Sequence, residues 1–215
     1  MNEQNNPLVQ AMEEALENVQ LKLPDMSCPD PSTINYYVFE TDRKLFLETD
    51  VGYPIMEMIK LIMRWNQEDK DVPVEQRKPI IIYIMSDGGS LAYMWSMIDA
   101  MIASKTPIYT VNLGIAASAA ALIFLAGSKR YMMPTAMTII HEGSVEMAGD
   151  ANKVFDAANN YSEEIKKMRD YILRRTSIPT RLMNKKQKDD WYIDAKTCME
   201  HGVCHHVVES LDEIV

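Results

Sequence analysis

The chain has 215 residues, 47% of them hydrophobic and 25% charged, with a formal net charge of -9. That balance fits an ordinary globular chain; the negative charge speaks against non-specific nucleic-acid binding and offers no basic surface for anionic lipid. Cys28, Cys198 and Cys204 are an odd set, which argues against a disulfide framework and for a reducing, cytoplasmic setting. No signal-peptide pattern opens the sequence, and its longest apolar run, Ile115 to Ala126, is too short to span a bilayer.

In chain order, Leu8, Met12, Ala15, Leu16, Val19 and Leu23 recur at helical spacing and predict an amphipathic helix over residues 7–23, closed by Pro24. Residues 24–33, rich in proline and small polar side chains, read as a linker, so residues 1–30 form an arm and 31–215 the domain. Ile34 to Phe39 and Leu45 to Glu48 are β-rich runs separated by the charged turn Thr41-Asp42-Arg43. Ile55, Met58, Ile59, Ile62 and Met63 give residues 54–66 a helical period, and a charged stretch without pattern follows from Gln67 to Lys78. Pro79 to Met85 is almost wholly apolar and isoleucine-rich, as a buried parallel strand is. It ends in Ser86-Asp87-Gly88-Gly89-Ser90, ahead of a helix from Leu91 to Ala103.

A second strand, Pro107 to Leu113, runs into Gly114-Ile115-Ala116-Ala117-Ser118 and at once into an alanine-rich helix over 118–126. The middle of the chain is therefore βαβα with glycine turns at the strand C-termini, where sites of open α/β sheets lie. Lys129 to Met133 and Ala136 to Ile140 are β-like, the second ending in His141. Gly143 to Gly149 leads into a long helix, about 150–175, along which Val154, Ala158, Tyr161, Ile165, Met168 and Ile172 step by four and three. That is a heptad-type seam able to pack on a neighbouring helix. After Pro179 and the charged run Asn184 to Asp190 come a short strand (Trp191 to Ile193), a helix (Asp194 to His201, ended by Gly202) and a β-like run from Val203 to Val208.

Three elements at these strand ends carry possible chemistry. A serine at a strand–turn–helix exposes its Oγ and aims the first free N–H groups of the helix at an incoming oxygen, so Ser118 is a candidate nucleophile. The Gly88-Gly89 turn lets a backbone N–H approach a ligand closely, and it lacks the spacing of a phosphate loop. His141 sits where a general base could stand, and Asp189 or Asp190 could hold its tautomer. Each has a plainer explanation by itself: a small residue in a packed helix, a tight turn, a structural histidine, a solvated charge run. Cys198, His201, Cys204, His205 and His206 have a superficial metal-site spacing, but strand neighbours point to opposite faces and no second Cys pair completes a tetrahedron. Neither a metal nor a cofactor is expected.

Ile84-Met85-Ser86-Asp87-Gly88-Gly89-Ser90, Gly114-Ile115-Ala116-Ala117-Ser118, Thr138-Ile139-Ile140-His141, Asp190-Trp191-Tyr192-Ile193-Asp194-Ala195 and Glu200-His201-Gly202-Val203 together resemble the proteolytic subunit of the Clp protease, the ClpP family, from about Ile34 to Val208. The resemblance implies the α/β ClpP/crotonase fold, stacked ββα units with a protruding handle helix at about 150–175. It implies a Ser-His-Asp endopeptidase, a peptide hydrolase acting on polypeptides inside stacked, heptameric homo-oligomeric rings, with an ATP-dependent unfoldase as a possible partner. By motif, Ser118 corresponds to the nucleophile, His141 to the base, Asp190 to the orienting acid, and the N–H groups of Gly89 and Ala119 to the oxyanion hole. Asp190 follows His141 by 190 − 141 = 49 residues, which agrees with the family's spacing and favours it over Asp189. Two turns depart from the family: Met85-Ser86-Asp87-Gly88-Gly89 stands for Asn-Ser-Pro-Gly-Gly and His141-Glu142-Gly143 for His-Gln-Pro. Loss of both prolines implies looser turns, and Ala119 replaces a usual methionine, implying a more open adjacent pocket. A non-catalytic ring subunit and a crotonase-like acyl-CoA enzyme are the alternatives the same fold allows.

Overall fold

The computed structural model describes residues 31–186 and 188–214, and the amphipathic helix expected over 7–23 lies outside them. The chain divides into two units, residues 1–38 and 39–215. Seven strands run as β1 (Lys44–Leu47), β2 (Ile80–Ser86), β3 (Ile108–Ala117), β4 (Lys129–Met132), β5 (Met137–Ile140), β6 (Trp191–Asp194) and β7 (His206–Val207). Between them lie α1 (Pro31–Thr41), α2 (Ile55–Glu68), α3 (Leu91–Ala103), α4 (Ala119–Ala126), α5 (Ala151–Arg175), α6 (Thr180–Lys186) and α7 (Ala195–Glu200). Four strands form a parallel core in the order β1-β2-β3-β4, with β7 added parallel to β4. The strand–helix alternation expected from Pro79 onward is present, as is the long helix, and the architecture is the layered α/β one implied by the resemblance.

β3 does more than a plain strand. Its first half pairs with β4 (Tyr109↔Lys129 to Asn112↔Met132) and its second half with β5 (Ile115↔Met137 to Ala117↔Ile139). The change of partner falls at Gly114, where the register against β2 also shifts, from Ile84↔Asn112 to Ser86↔Ala116. Asn112 pins the bend: fully buried, it donates from Nδ2 to the Met137 carbonyl and accepts the Gly114 N–H on Oδ1. Gly114 is therefore a mid-strand bulge and not the turn that the sequence suggested; the strand continues to Ala117 and the turn is at Ser118. β6 then pairs antiparallel to β5, with Ile140 opposite Trp191.

Three further expectations are corrected. Ile34 to Phe39 is helical, inside α1, because Pro31 stands at the first helical position, where its fixed φ and missing N–H suit a helix start; the β-branched and aromatic side chains did not outweigh that. The charged run after Pro179 begins as helix α6, anchored by the buried Met183. The C-terminal β-like run pairs over only His206 and Val207.

Burial follows chemistry. β2 buries Ile80, Ile82, Ile84 and Ser86 on one face, while the other grades from the buried Ile81 through the half-buried Tyr83 to the exposed Met85. α2 and α3 bury one side each, through Ile55, Met58, Ile59, Ile62 and Trp65, and through Met94, Met97, Ile98 and Met101. α4 is buried along its entire length. Its C-terminal carbonyls cannot reach water, and two arginines supply the donors. Arg175 donates to the carbonyls of Leu125, Ala126 and Gly127, and Arg130 to those of Leu125 and Gly127. The rest of the Arg130 guanidinium is bound by the carbonyls of Val203, Arg175 and Gly202. Burial lowers its pKa to about 10, so it remains a cation at neutral pH, at the negative end of the helix.

Candidate active site

Strand register gathers the site. Ser118 follows Ala117, which pairs with Ile139, and the Ser118 N–H donates to the Ile139 carbonyl at 2.9 Å. His141 follows Ile140 at the end of the same β5. Because β6 is antiparallel to β5 and Ile140 faces Trp191, His141 and Asp190 leave the pair at the same end. The His141 Nδ1 lies 3.2 Å from Asp190 Oδ1. Asp189 takes a different course: its N–H closes a turn onto the Lys186 carbonyl, and among the described residues no ion pair joins its carboxylate to His141.

Ser118 has φ 54° and ψ −124°, a left-handed value that a side chain adopts only when its surroundings impose it. The imposing contacts are the bond to Ile139 on one side and helix start on the other, where the Ser118 carbonyl accepts from Ala121 and Leu122. Such a conformation costs on the order of 1–3 kcal/mol. The next amide, Ala119, opens α4 and donates to no acceptor among the described residues, as first-turn amides do.

The glycine turn lies against this elbow. A Cβ on Gly88 would stand 2.7 Å from both the Ala117 carbonyl oxygen and Ser118 Cβ, so only glycine fits, and φ 106° makes the same demand. Gly89 forms a parallel bridge with Val51. The Gly89 N–H likewise has no acceptor among the described residues.

His141 is about one-third exposed at its side chain, and Asp190 more than half. The His141 Nε2 is shielded from solvent and has no hydrogen-bond partner. Among the described residues no hydrogen bond joins Ser118 Oγ to it. A buried unpaired polar atom costs about 1–3 kcal/mol, and a proton-bearing group brought to it removes that cost. Beside His141 a narrow crevice is lined by Ile165, Met168, Ile172 and Met183, with Glu142 and Arg169 at its edge.

Both proline-free turns are hydrogen-bonded to other segments. The segment after His141 is tied to α5 by the Tyr161 hydroxyl, which donates to the Glu142 carbonyl at 2.8 Å. The tie needs Gly143, with φ 80°, since a Cβ there would come 2.8 Å from the Tyr161 oxygen. Sequence reading had no signal for Tyr161, Ser86 or Val51 as supports of these turns: each acts through a backbone atom distant in sequence.

The Cys/His group near the C-terminus has dispersed partners. The Cys198 and Cys204 thiols are buried, which pushes their pKa values up to about 12 and about 11. His205 Nδ1 accepts the Arg130 N–H, His206 stacks on Tyr131 and His201 packs edge-on against Trp191. No group of three or more His, Cys, Asp or Glu side chains suited to a metal occurs among the described residues, and no described helix is long and apolar enough to cross a membrane.

The family model described as Clp protease matches residues 34–211. The chain is 30% identical over 139 residues to the ATP-dependent Clp protease proteolytic subunit 2 of Treponema denticola, covering 64% of this chain and 70% of that one. It is 29% identical over 136 residues to the subunit of the same name from Borreliella burgdorferi, covering 62% and 69%. It is 25% identical over 177 residues to the ATP-dependent Clp protease proteolytic subunit of Dehalococcoides mccartyi, covering 81% and 86%. The chain therefore belongs to the Clp protease family, and its parallel-dominated sheet with packed helices is consistent with that family's fold.

Proposed function

We propose that this chain is a serine endopeptidase working through Ser118, His141 and Asp190, with the Gly89 and Ala119 N–H groups as its oxyanion hole. The observation that carries the reading is the β3-β5-β6 register, which brings Ser118, His141 and Asp190 to one end of the sheet with His141 Nδ1 3.2 Å from Asp190. Asp190 accepts the Nδ1–H and so leaves Nε2 as the basic nitrogen. As Ser118 Oγ attacks the scissile carbonyl carbon, its proton passes to Nε2. The carbonyl oxygen becomes the oxyanion and takes the two free amides, whose donors are oriented before the reaction begins. The imidazolium then gives the proton to the leaving amine as the C–N bond breaks. Water enters, loses a proton to Nε2 and hydrolyses the acyl-serine, and the proton returns to Oγ.

Assembly into stacked homo-oligomeric rings and service to an ATP-dependent unfoldase, both implied by the family resemblance, complete the proposal; the relatives are named as subunits of an ATP-dependent protease. A non-catalytic ring subunit is the second reading, favoured by the lack of a hydrogen bond between Ser118 Oγ and Nε2 among the described residues; catalytic bonds in an unliganded enzyme are often open. The test is a fluorophosphonate probe and a fluorogenic peptide on the assembled protein. Covalent label on Ser118 and turnover, both lost in Ser118→Ala, are expected. No label and no turnover in the unaltered protein would establish the non-catalytic reading instead.

A further inference from the structure

Every amide of the Gly88-Gly89 turn is accounted for except one, and the account leads to residues outside the triad. A trans peptide unit points its C=O and its N–H in opposite directions. The Gly88 carbonyl and the Gly89 N–H belong to one such unit. The Val51 N–H donates to the Gly88 carbonyl at 2.7 Å, and the Ser90 N–H donates to the Val51 carbonyl at 2.8 Å. The Gly89 N–H is therefore directed away from Val51. The preceding unit is fixed by a side chain: the Gly88 N–H donates to Ser86 Oγ at 3.2 Å, while that hydroxyl donates to the Thr49 carbonyl at 2.7 Å. Ser86 is 4% exposed, so water does not compete for these bonds. On the opposite side Gly88 lies against Ala117, Ser118 and the Ala119 nitrogen. The turn lacks the proline whose ring could have set its backbone.

We infer that Ser86 is a positioning residue for the oxyanion hole: its hydroxyl, clamped on the Thr49 carbonyl, holds the Gly88 N–H so that the following peptide keeps the Gly89 N–H aimed at the Ser118 elbow. The inference rests on the proposed serine-peptidase reading. Without the hydroxyl, the Gly88 N–H and the Thr49 carbonyl both lose a buried partner. Two glycines in succession give the turn the freedom to rotate. The Gly89 N–H then meets the developing oxyanion only part of the time. The loss belongs to the tetrahedral state, because a planar substrate carbonyl asks less of that donor.

The experiment compares the unaltered protein with Ser86→Ala, Ser86→Thr and Ser86→Cys on a fluorogenic peptide, on a peptide boronate that forms a tetrahedral Ser118 adduct, and on the uncleaved product peptide. For Ser86→Ala, kcat falls by about 10- to 100-fold, part of the loss for deleting an oxyanion donor, with KM within about twofold. Boronate affinity falls by the same factor as kcat/KM, whereas product affinity is unchanged. Ser86→Thr, which keeps the hydroxyl, restores most of kcat; Ser86→Cys, close in volume with a weaker donor, lies between. Thermal unfolding identifies a variant that fails to fold, and the remaining two then carry the comparison. Equal losses of boronate and product affinity, or a Ser86→Ala enzyme as fast as the unaltered one, would overturn the inference while leaving the serine-peptidase reading intact. An unaltered protein that neither labels nor cleaves would overturn both.

Discussion

At Asp190 a single carboxylate separates two accounts of His141. The pair could be a surface ion pair, worth little, or the orientation device of a general base. The antiparallel register argues for orientation: His141 follows Ile140 and Asp190 precedes Trp191, so the last β5–β6 pair delivers both to the same end of the sheet, where Nδ1 lies 3.2 Å from the carboxylate. Asp190→Asn keeps the shape but would offer Nδ1 an amide, whose N–H group favours the wrong tautomer. We expect kcat to fall by roughly 10³-fold, somewhat less than the full effect in a buried triad because water reaches this carboxylate, with KM nearly constant. Asp189→Asn should stay within about twofold of the unaltered enzyme. Steady-state kinetics of both variants check the assignment; equal losses would mean that bulk negative charge and not orientation matters. The identity of the three polar residues and their spacing could be read from the sequence. The conformation of Ser118 could not, because nothing in Ala116-Ala117-Ser118-Ala119 requires a left-handed serine; the Ile139 carbonyl and Gly88 do, and both come from other segments.

At the scale of elements, α4 links the site to the rest of the fold. Its N-terminal amides face the elbow, and its C-terminal carbonyls meet Arg130 and Arg175. A wholly apolar eight-residue helix was legible as buried, and its bounds follow from the turn at Ser118 and Gly127. The cations that finish it were not: Lys129 to Met133 reads as an ordinary strand, and the carbonyls bound by Arg130 lie as far away as Val203. Likewise the β reading of Ile34 to Phe39 weighed side-chain type and passed over the position of Pro31. Arg130→Met should leave the carbonyls of Val203, Gly202 and Arg175 without their donor, at about 1 kcal/mol or more each, while the Arg175 side chain still serves Leu125 and Gly127. A net loss of about 3 kcal/mol corresponds to a fall in Tm of roughly 6–12 °C for a domain of this size. Calorimetry of the variant measures it. A Tm within about 2 °C would mean that water replaces the guanidinium and that the helix end is not dry.

For the whole molecule the telling feature is how unevenly α5 is used. Its lower turns bury Met168, Tyr171 and Ile172 in the core, and Trp95 donates to Glu164 nearby. Above Tyr161 the helix has little to hold it: Phe155 is 68% exposed and Ala158 is exposed. A few turns of helix without packing are marginal in water, so this half needs a partner of its own. Phe155 and Ala158, exposed and three residues apart on one side of the helix, supply a face for one, and a second copy of α5 presents the same face in return, as a two-fold contact requires. If that contact joins two rings, adding charge to its apolar side chains should separate them without touching the core. Phe155→Glu combined with Ala158→Glu is expected to halve the native mass measured by light scattering and to leave the Tm of the separated rings within a few degrees. Because Tyr161 ties the same helix to the carbonyl of Glu142, next to His141, peptide cleavage should fall with the mass. An unchanged mass would exclude α5 as the surface between rings, and a halved mass with full activity would show that the Tyr161 tie does not carry ring pairing to the base.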